Sequence, residues 1–193
     1  EKGGVVDDLL VYRFGPEKLL LVVNAATTDK DWAWITSHKG DAEVLLTNAS
    51  ADYCQIAIQG PKALGILQKL TGTSLEPIKY YHFTTGKVDG VEAIISRTGY
   101  TGEDGFEVYA APGHAEQLWN KMLETGTEEG ILPCGLAARN TLRLESAMSL
   151  YGHELDDEIT TLEANLGWIT KLDKGDFTGR EVIADLKSSG LKR

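Results

Sequence analysis

The chain has 193 residues, of which 42% are hydrophobic and 25% charged, with a formal net charge of −10 and an isoelectric point of about 4.9. This acidic balance argues against broad binding to nucleic acid or to an anionic membrane surface, because both need a basic protein surface. The sequence has no run of 18 apolar residues and therefore predicts no transmembrane helix.

The first part of the chain predicts strands that alternate with helices. The apolar run KLLLVVN is typical of a buried strand, and a Gly-Pro-Glu link joins it to the preceding segment as a hairpin. Thr28-Asp29-Lys30-Asp31 resembles a capping box, and Gly60-Pro61 predicts a helix with proline at its first position. The predicted strands are 5–14, 18–24, 42–47 and 53–59, and the two helices run to His38 and to about Gly72.

The next part predicts an antiparallel sheet flanked by helices. Strands over 80–84 and 91–97 pair through a glycine turn, and Phe106–Ala110 leaves a second glycine-rich turn as a strand. Apolar residues at helical spacing from Ala115 to Met122 predict an amphipathic helix. A helix over 135–150 offers apolar side chains for burial, and a last short helix begins near Phe177. The apolar residues offered are Leu136, Leu142, Leu144 and Met148.

A strand pair followed by an amphipathic helix occurs at 9–38 and again at 91–124. This repeat predicts an α+β fold on antiparallel sheets rather than a doubly wound parallel sheet. We therefore expect two similar α+β halves, about 1–75 and 76–152, followed by a tail over 153–193.

The segment SRTGYTGEDGFEVY, residues 96–109, concentrates glycines, tyrosines and acids in one turn. Its glycines are spaced GxxGxxG, and the chain has neither a dinucleotide-binding fingerprint nor a P-loop. One interpretation is a tight turn that exposes its acids to solvent. The other is a backbone bent to present Tyr100 and a carboxylate together.

Glu107 is the carboxylate of interest in that segment. It alternates with Phe106 and Val108 along a predicted strand, so it faces one side of the sheet while they face the other. A carboxylate that accepts two parallel N–H bonds suits an amino-pyrimidinone edge. An aromatic side chain such as Tyr100 can stack on such a ring.

Asp7 and Asp8 are adjacent acids inside an apolar predicted strand, where they point to opposite faces. One of them then faces the interior or a cleft. A partly apolar setting raises the proton affinity of a carboxylate and suits proton transfer near neutral pH. The alternative is an edge strand with both acids in water.

Two further side chains, Arg139 and Tyr80, have two interpretations each. Arg139 lies in the first turns of a predicted helix, close to Arg143 and Glu145 on its surface. It either belongs to an Arg–Glu surface pair or binds a substrate carboxylate with its planar fork. Tyr80 is either a core aromatic residue or a ring-stacking residue. Asn24 ends an apolar strand, as turn-forming asparagines commonly do.

Cys54 and Cys134 are isolated cysteines, so a reducing compartment is the simplest expectation. The histidines lack metal-ligand spacing, and we expect no metal site. The chain does not begin with Met and ends on a charged stretch, so we expect both ends to continue into a longer protein.

Four segments in order resemble the aminomethyltransferases, the T-protein family of the glycine cleavage system. They are GGVVDDLLVYR at 3–13, LLLVVNAATTDKDWAWI at 19–35, SRTGYTGEDGFEVY at 96–109 and LPCGLAARNTLRLESAMSLYGHELDDEITTLEANLGW at 132–168. The resemblance implies a folate-binding α+β body of antiparallel sheets with packed helices. It also implies a fragment that lacks the N-terminal part of that body and the C-terminal barrel domain.

The resemblance implies roles for residues at matching positions. Asp8 matches the catalytic aspartate beside the reacting nitrogens of tetrahydrofolate. The folate-binding positions are Tyr80, Tyr100, Glu107 and Arg139, the lipoyl-side position is Asn24, and a weaker match is Tyr12. The sequence departs from the usual pattern at Asn140, where an aspartate is common, and at Thr161, where proline is frequent.

The reaction that the resemblance implies moves a methylene unit from an aminomethyl-dihydrolipoyl carrier protein, the H-protein, to tetrahydrofolate and releases ammonia. Tetrahydrofolate is then a co-substrate, and no metal, nucleic acid or membrane takes part. The expected compartment is the cytoplasm for a bacterial source or the mitochondrial matrix for a eukaryotic one.

Three alternatives remain open from the sequence. One is a folate-binding domain of a sarcosine or dimethylglycine dehydrogenase type enzyme, which shares the fold. Another is a non-catalytic folate-binding relative in iron–sulfur cluster maintenance, although the Lys-Gly-Cys turn of that group is missing here. The third is a fragment that has no activity by itself.

Overall fold

The computed structural model describes residues 2–190, which fall into two compact units. The first, here called the split unit, consists of Glu1–Leu46 and Ser149–Arg193. The second, the central unit, is Thr47–Met148. The strands along the chain are β1 (Leu10–Arg13), β2 (Leu19–Val22), β3 (Cys54–Gln59), β4 (Phe83–Val88), β5 (Val91–Ser96) and β6 (Gly105–Ala110). The α-helices are α1 (Thr28–His38), α2 (Ala63–Gln68), α3 (Ala115–Thr125), α4 (Leu136–Glu145) and α5 (Arg180–Ser189).

The central unit is built on an antiparallel sheet with strand order β3-β6-β5-β4. Alternation along β6 directs Phe106 and Val108 into a core that also holds Leu67 of α2 and Leu118 of α3. Each such side chain contributes about 1.5–3 kcal/mol on burial. Glu107, between the two core residues, is directed to the opposite face of the sheet, as the sequence predicts.

The split unit contains the β1–β2 hairpin, in which Leu10 pairs with Val22 and Arg13 with Leu19. Tyr12 of β1 is 4% exposed. An isolated antiparallel bridge joins Gly4 to Thr160 in this unit. Backbone contacts therefore connect the N-terminal and C-terminal segments of this unit.

Two predicted strands differ from the structure. β1 begins only at Leu10, so residues 5–9 lie outside it. At the start of this segment the Val5 N–H donates to the Asp156 oxygen at 2.8 Å instead of to a neighbouring strand. The prediction that Asp7 and Asp8 lie inside a strand is therefore wrong. Residues 42–47 are irregular, and their apolar side chains Val44 and Leu45 are exposed, so the predicted strand there is also wrong.

Several helix and strand ends also shift. β4 begins at Phe83 rather than at residue 80, because Tyr81 has a φ of 60° that no strand residue adopts. Pro61 precedes α2 by two residues instead of opening it. Thr27 is the residue before α1 and forms no side-chain cap, so the predicted capping box does not form.

The burial pattern of α4 contradicts the sequence analysis. Leu136 is 83% exposed and Leu144 is also exposed, whereas Arg143 is only 2% exposed. The helix ends at Glu145, because Ala147 has a φ of 55° that an α-helix cannot continue through.

The bounds of the two units differ from those of the two predicted halves. β3 and α2 lie in the first predicted half, yet β3 pairs along its length with β6 of the second. The similarity of the predicted halves stays a prediction.

Candidate functional site

The glycine-rich turn between β5 and β6 is folded around the side chain of Gln59, the last residue of β3. Gln59 Nε2 donates to the Thr98 oxygen at 3.1 Å and to the Phe106 oxygen at 3.2 Å. A Cβ on Gly99 would lie 1.9 Å from Gln59 Oε1, and one on Gly105 would lie 2.5 Å from the same amide. Both glycines are therefore needed because an amide side chain occupies the inside of the turn.

An ion pair closes the base of the same turn. Arg97 Nε donates to Asp104 Oδ1 at 2.9 Å, and its NH2 donates to Asp104 Oδ2 at 2.8 Å. The hydrogen bonds from Arg97 hold the pKa of Asp104 below its ordinary value. Asp104 is thus a structural partner in the turn, whereas Glu103 is exposed.

Glu107 lies in a cluster of hydrogen-bond donors on the face of the sheet opposite the core. Its Oε1 accepts from Gln55 Nε2 at 2.6 Å, and its Oε2 accepts from the Tyr109 hydroxyl at 3.2 Å. The Thr98 hydroxyl also donates to Oε2. A carboxylate has about four acceptor positions, so these donors orient it and leave little unused capacity.

Tyr80 belongs to the electrostatic surroundings of Glu107. Its ring forms a T-shaped pair with Tyr81 at a centroid distance of 4.5 Å, and 54% of the residue is exposed. Burial of its hydroxyl, followed by the effects of Tyr81 and Glu107, raises the pKa of Tyr80 to about 12. The Tyr80 hydroxyl is therefore neutral at physiological pH.

Tyr100 and Arg139 contact each other within the central unit. The guanidinium carbon of Arg139 lies 4.4 Å from the Tyr100 ring centroid, which is a cation–π distance. A second contact joins the turn to the residue after α4, because Ser146 Oγ donates to the Thr101 oxygen at 3.1 Å. The structure thus brings two of the predicted folate-binding residues together.

Arg143 is a buried, hydrogen-bonded residue of α4, and the sequence analysis did not predict its burial. Its Nε donates to Asn140 Oδ1 at 2.9 Å, and its NH1 donates to the Met148 oxygen at 3.0 Å. The Asn140 side chain, which stands where the family commonly has an aspartate, therefore orients Arg143. An arginine on the helix face assumed to be exposed carries no sequence signal for burial.

Asp8 and Asn24 lie together in the split unit. Asn24 Nδ2 donates to Asp8 Oδ1 at 3.0 Å and to Asp7 Oδ1 at 2.8 Å. Asp8 is exposed, and Asp7 is half-buried. Burial alone would raise the pKa of Asp7, but the hydrogen bonds it makes, led by the one with Asp31, outweigh burial and lower it. The expectation of a raised proton affinity is therefore wrong for Asp7.

The raised proton affinity occurs instead at Asp31, which the sequence analysis treated only as part of a capping box. Asp31 is 3% exposed in the first turn of α1. Burial, followed by its contact with Asp7, raises its pKa to about 6. A helix N-terminus commonly carries an acid, so sequence position alone does not mark this residue.

The remaining candidates are a metal site, a membrane-spanning helix and a groove in the split unit. Within residues 2–190, no three His, Cys, Asp or Glu side chains are grouped so as to hold a metal ion. No helix in that range is long and apolar enough to cross a bilayer. A groove of about 480 Å³ in the split unit is lined by residues such as Trp34, Lys174 and Phe177, and contains none of the predicted site residues.

Comparison with known proteins places this chain in a family. Residues 1–174 match the family model described as the GCVT N-terminal domain. The chain is 55% identical over 191 residues to an aminomethyltransferase from Desulfitobacterium hafniense strain Y51, covering 99% of this chain and 52% of the relative. It is 54% identical over 187 residues to an aminomethyltransferase from Chloroherpeton thalassium, covering 97% of this chain and 52% of the relative. The chain thus spans about half the length of the curated relatives it matches.

Solved structures agree with the predicted α+β fold class. A glycine cleavage system aminomethyltransferase T from Bartonella henselae superposes with a TM-score of 0.84 at 30% identity, covering 98% of this chain and 51% of that one. A heterotetrameric sarcosine oxidase from Corynebacterium sp. U-96 has a TM-score of 0.53 at 19% identity, covering 68% of this chain and 66% of that one, and shares the fold alone. The chain belongs to the aminomethyltransferase family of the glycine cleavage system, and its match to the GCVT N-terminal domain extends over residues 1–174.

Proposed function

We propose that the protein containing this chain is a tetrahydrofolate-dependent aminomethyltransferase. Its substrate is an aminomethyl group on the sulfur of a dihydrolipoyl arm, which a small carrier protein, the H-protein, presents. Because the relatives described above are bacterial, we propose the cytoplasm as the compartment. The observation that carries the proposal is the Glu107 carboxylate, oriented by side-chain donors on the sheet face away from the core.

In the central unit, Glu107 binds the amino-pyrimidinone edge of the pterin. That edge offers two parallel N–H donors, so it replaces one of the donors that Glu107 now accepts from, most simply the exposed Gln55. Tyr100 packs on the folate, and Tyr80 adds a neutral aromatic neighbour. Arg139 binds a folate carboxylate with its planar fork.

In the split unit, Asp8 is the catalytic residue and Asn24 serves the lipoyl side. The methylene carbon forms bonds to folate N5 and N10 and loses its bonds to the amine nitrogen and to sulfur. The protons lost from N5 and N10 end on the released ammonia and on the dihydrolipoyl thiol, so no oxidant is needed. Asp8 forms a hydrogen bond to N10 and helps to move its proton as N5 attacks.

The test is ammonia release by the full-length protein from an aminomethyl-loaded lipoyl carrier with tetrahydrofolate. We expect Asp8→Asn to lower kcat by about 100-fold, because positioned proton transfer typically contributes that much. Asp41→Asn, an exposed acid of the same unit, is the matched control and is expected to retain activity. Wild-type turnover in Asp8→Asn would remove Asp8 from the reaction, and no turnover in the wild type would refute the proposed activity.

A further inference from the structure

We propose that Asp31 is a positioning residue for Asp8: it carries a proton that it donates to Asp7, and through Asp7 and Asn24 it fixes the predicted catalytic aspartate. This inference rests on the proposed role of Asp8 in the transferase reaction. All four residues lie in the split unit.

Asp31 is a buried acid without a donor. The residue is 3% exposed, and neither carboxylate oxygen receives a hydrogen bond from residues 2–190. A buried charge without such bonds is costly, because it loses the stabilisation that water gives it. The simplest resolution is a protonated Asp31, since its O–H then becomes a donor.

Asp7 is the acceptor for that proton. Its Oδ1 already receives Asn24 Nδ2 at 2.8 Å and the Asp8 N–H at 2.9 Å, and its Oδ2 receives the Thr27 hydroxyl at 2.7 Å. A carboxylate with several donors favours the ionised form, and its unsolvated neighbour then favours the neutral form. Below the Asp31 pKa of about 6, the Asp7–Asp31 pair is therefore expected to share one negative charge, with the proton on Asp31.

The charged groups that face Asp31 are Asp7 and Lys30. Burial is the largest influence and raises the pKa of Asp31, as does the Asp7 carboxylate. The Thr27 hydroxyl, whose proton goes to Asp7, and Lys30 lower it. Lys30 also contacts Tyr151 and Asp157, the latter at 3.2 Å, so its charge is partly compensated elsewhere. Asp7 therefore prevails over Lys30 at this position.

Asn24 links Asp7 to Asp8 through hydrogen bonds from its side-chain amide. Its amide nitrogen contacts Asp7 Oδ1, Asp8 Oδ1 at 3.0 Å and the Asp8 backbone oxygen at 3.2 Å. An Asp7 anchored by Asp31 holds this amide in one orientation. Loss of the Asp31 proton places two negative charges side by side, and repulsion then displaces Asp7 together with the amide that it orients.

A purely structural role of Asp31 predicts a different behaviour of its variants. An acid in the first turn of a helix is stabilising through the helix dipole, and any such role favours the ionised form. Asp31→Asn separates the two, because the amide keeps a donor toward Asp7 at every pH but removes the ionisable group. Asp29→Asn, the exposed acid of the same turn, is the matched control.

The experiment measures kcat against pH for the full-length protein and follows the carboxyl carbon signals of aspartate by NMR. We expect one aspartate to titrate near pH 6 and to disappear from the spectrum in Asp31→Asn but not in Asp29→Asn. Wild-type kcat should fall as pH rises through that titration, and Asp31→Asn should lose this dependence while keeping kcat within about twofold of the acid-side wild-type value.

Asp31→Ala completes the set, because it removes the donor. We expect kcat to fall about tenfold, with folate affinity in calorimetry unchanged and with Asp31→Asn restoring turnover. Absence of the elevated titration, or identical pH profiles for wild type and Asp31→Asn, would overturn the inference. If Asp8→Asn retained turnover, the proposed role of Asp8 would fail, and the Asp31 inference with it, whereas the NMR titration would still report whether the Asp31–Asp7 pair shares a proton.

Discussion

Arg139 covers one face of Tyr100, with its guanidinium carbon 4.4 Å from the ring centroid. The two residues are 39 positions apart in the chain and belong to a turn and a helix of the same unit. At an exposed site such a contact contributes about 0.5–1 kcal/mol, so it orients both side chains without fixing them permanently. Arg139 therefore retains the freedom to bind a ligand carboxylate.

This arrangement predicts a selective loss of affinity in Arg139→Ala. We expect binding of 5-methyltetrahydrofolate to weaken about tenfold or more, because a charge-assisted hydrogen bond contributes about 1.5–3 kcal/mol. A tetrahydropterin that lacks the glutamate tail should bind the variant and the wild type equally. Lys87→Ala, an exposed cation of the same unit, is the control. Equal losses for both ligands would contradict the assignment of Arg139 to the carboxylate.

The position of the Gln59 side chain predicts that Gly99 and Gly105 are needed for the full stability of the folded protein. Gly99→Ala places a Cβ 1.9 Å from Gln59 Oε1, so either the amide or the turn must move and its bonds to Thr98 and Phe106 are lost. We expect a loss of about 2–3 kcal/mol in the free energy of unfolding, measured by urea denaturation.

Gly113→Ala is the control for that measurement, because nothing lies within 4 Å of its added Cβ. A Gly99→Ala protein as stable as the control would show that Gln59 does not fill the turn. The double variant Gly99→Ala with Gln59→Ala should recover part of the loss, since the clash then disappears.

The raised pKa of Asp31 predicts that the stability of the folded protein changes with pH in a defined direction. Its pKa of about 6 in the folded state exceeds the ordinary value of 3.8, so the folded protein binds more protons than the unfolded one between these values. The stability should therefore decrease as pH rises from about 4 to about 6 and stay level above, by about 3 kcal/mol in total.

Asp31→Asn should remove this decrease. The variant is then expected to be more stable than the wild type at pH 7.5 and to differ little from it near pH 4. Asp7 has a lowered pKa, so the stability that it contributes is lost only as pH falls below the ordinary pKa of an aspartate. Its effect therefore lies below the pH window in which Asp31 acts. Parallel urea-denaturation curves for wild type and variant at all pH values would contradict the prediction.

The parts of the fold that the sequence predicts well are those fixed by local patterns. Alternation in β6 places Glu107 opposite Phe106 and Val108, and the apolar spacing of α3 correctly indicates that Leu118 and Met122 are buried. Both patterns depend only on the strand or helix period, so no knowledge of the partner element is needed.

The parts that the sequence does not predict depend on tertiary contacts. Residues 42–47 include a short apolar run that predicts a strand, but a strand also needs a partner for its backbone. The Val44 N–H instead donates to the nearby Ala42 oxygen. In α4 the spacing of leucines does not reveal that Arg143 occupies the covered side. The sequence gives no signal for the raised pKa of Asp31, because that pKa depends on burial and on Asp7, which is 24 positions away.

The measurement that tests the proposed folate site most directly is calorimetric titration of this chain with 5-methyltetrahydrofolate, with Glu107→Gln beside Glu103→Gln. Glu103 is an exposed acid of the same turn and serves as the matched control. We predict saturable binding to the wild type and to Glu103→Gln, and an affinity at least about tenfold weaker in Glu107→Gln, because the amide cannot accept two N–H bonds as a carboxylate does. Equal affinity in all three proteins would contradict the assignment of the pterin to Glu107.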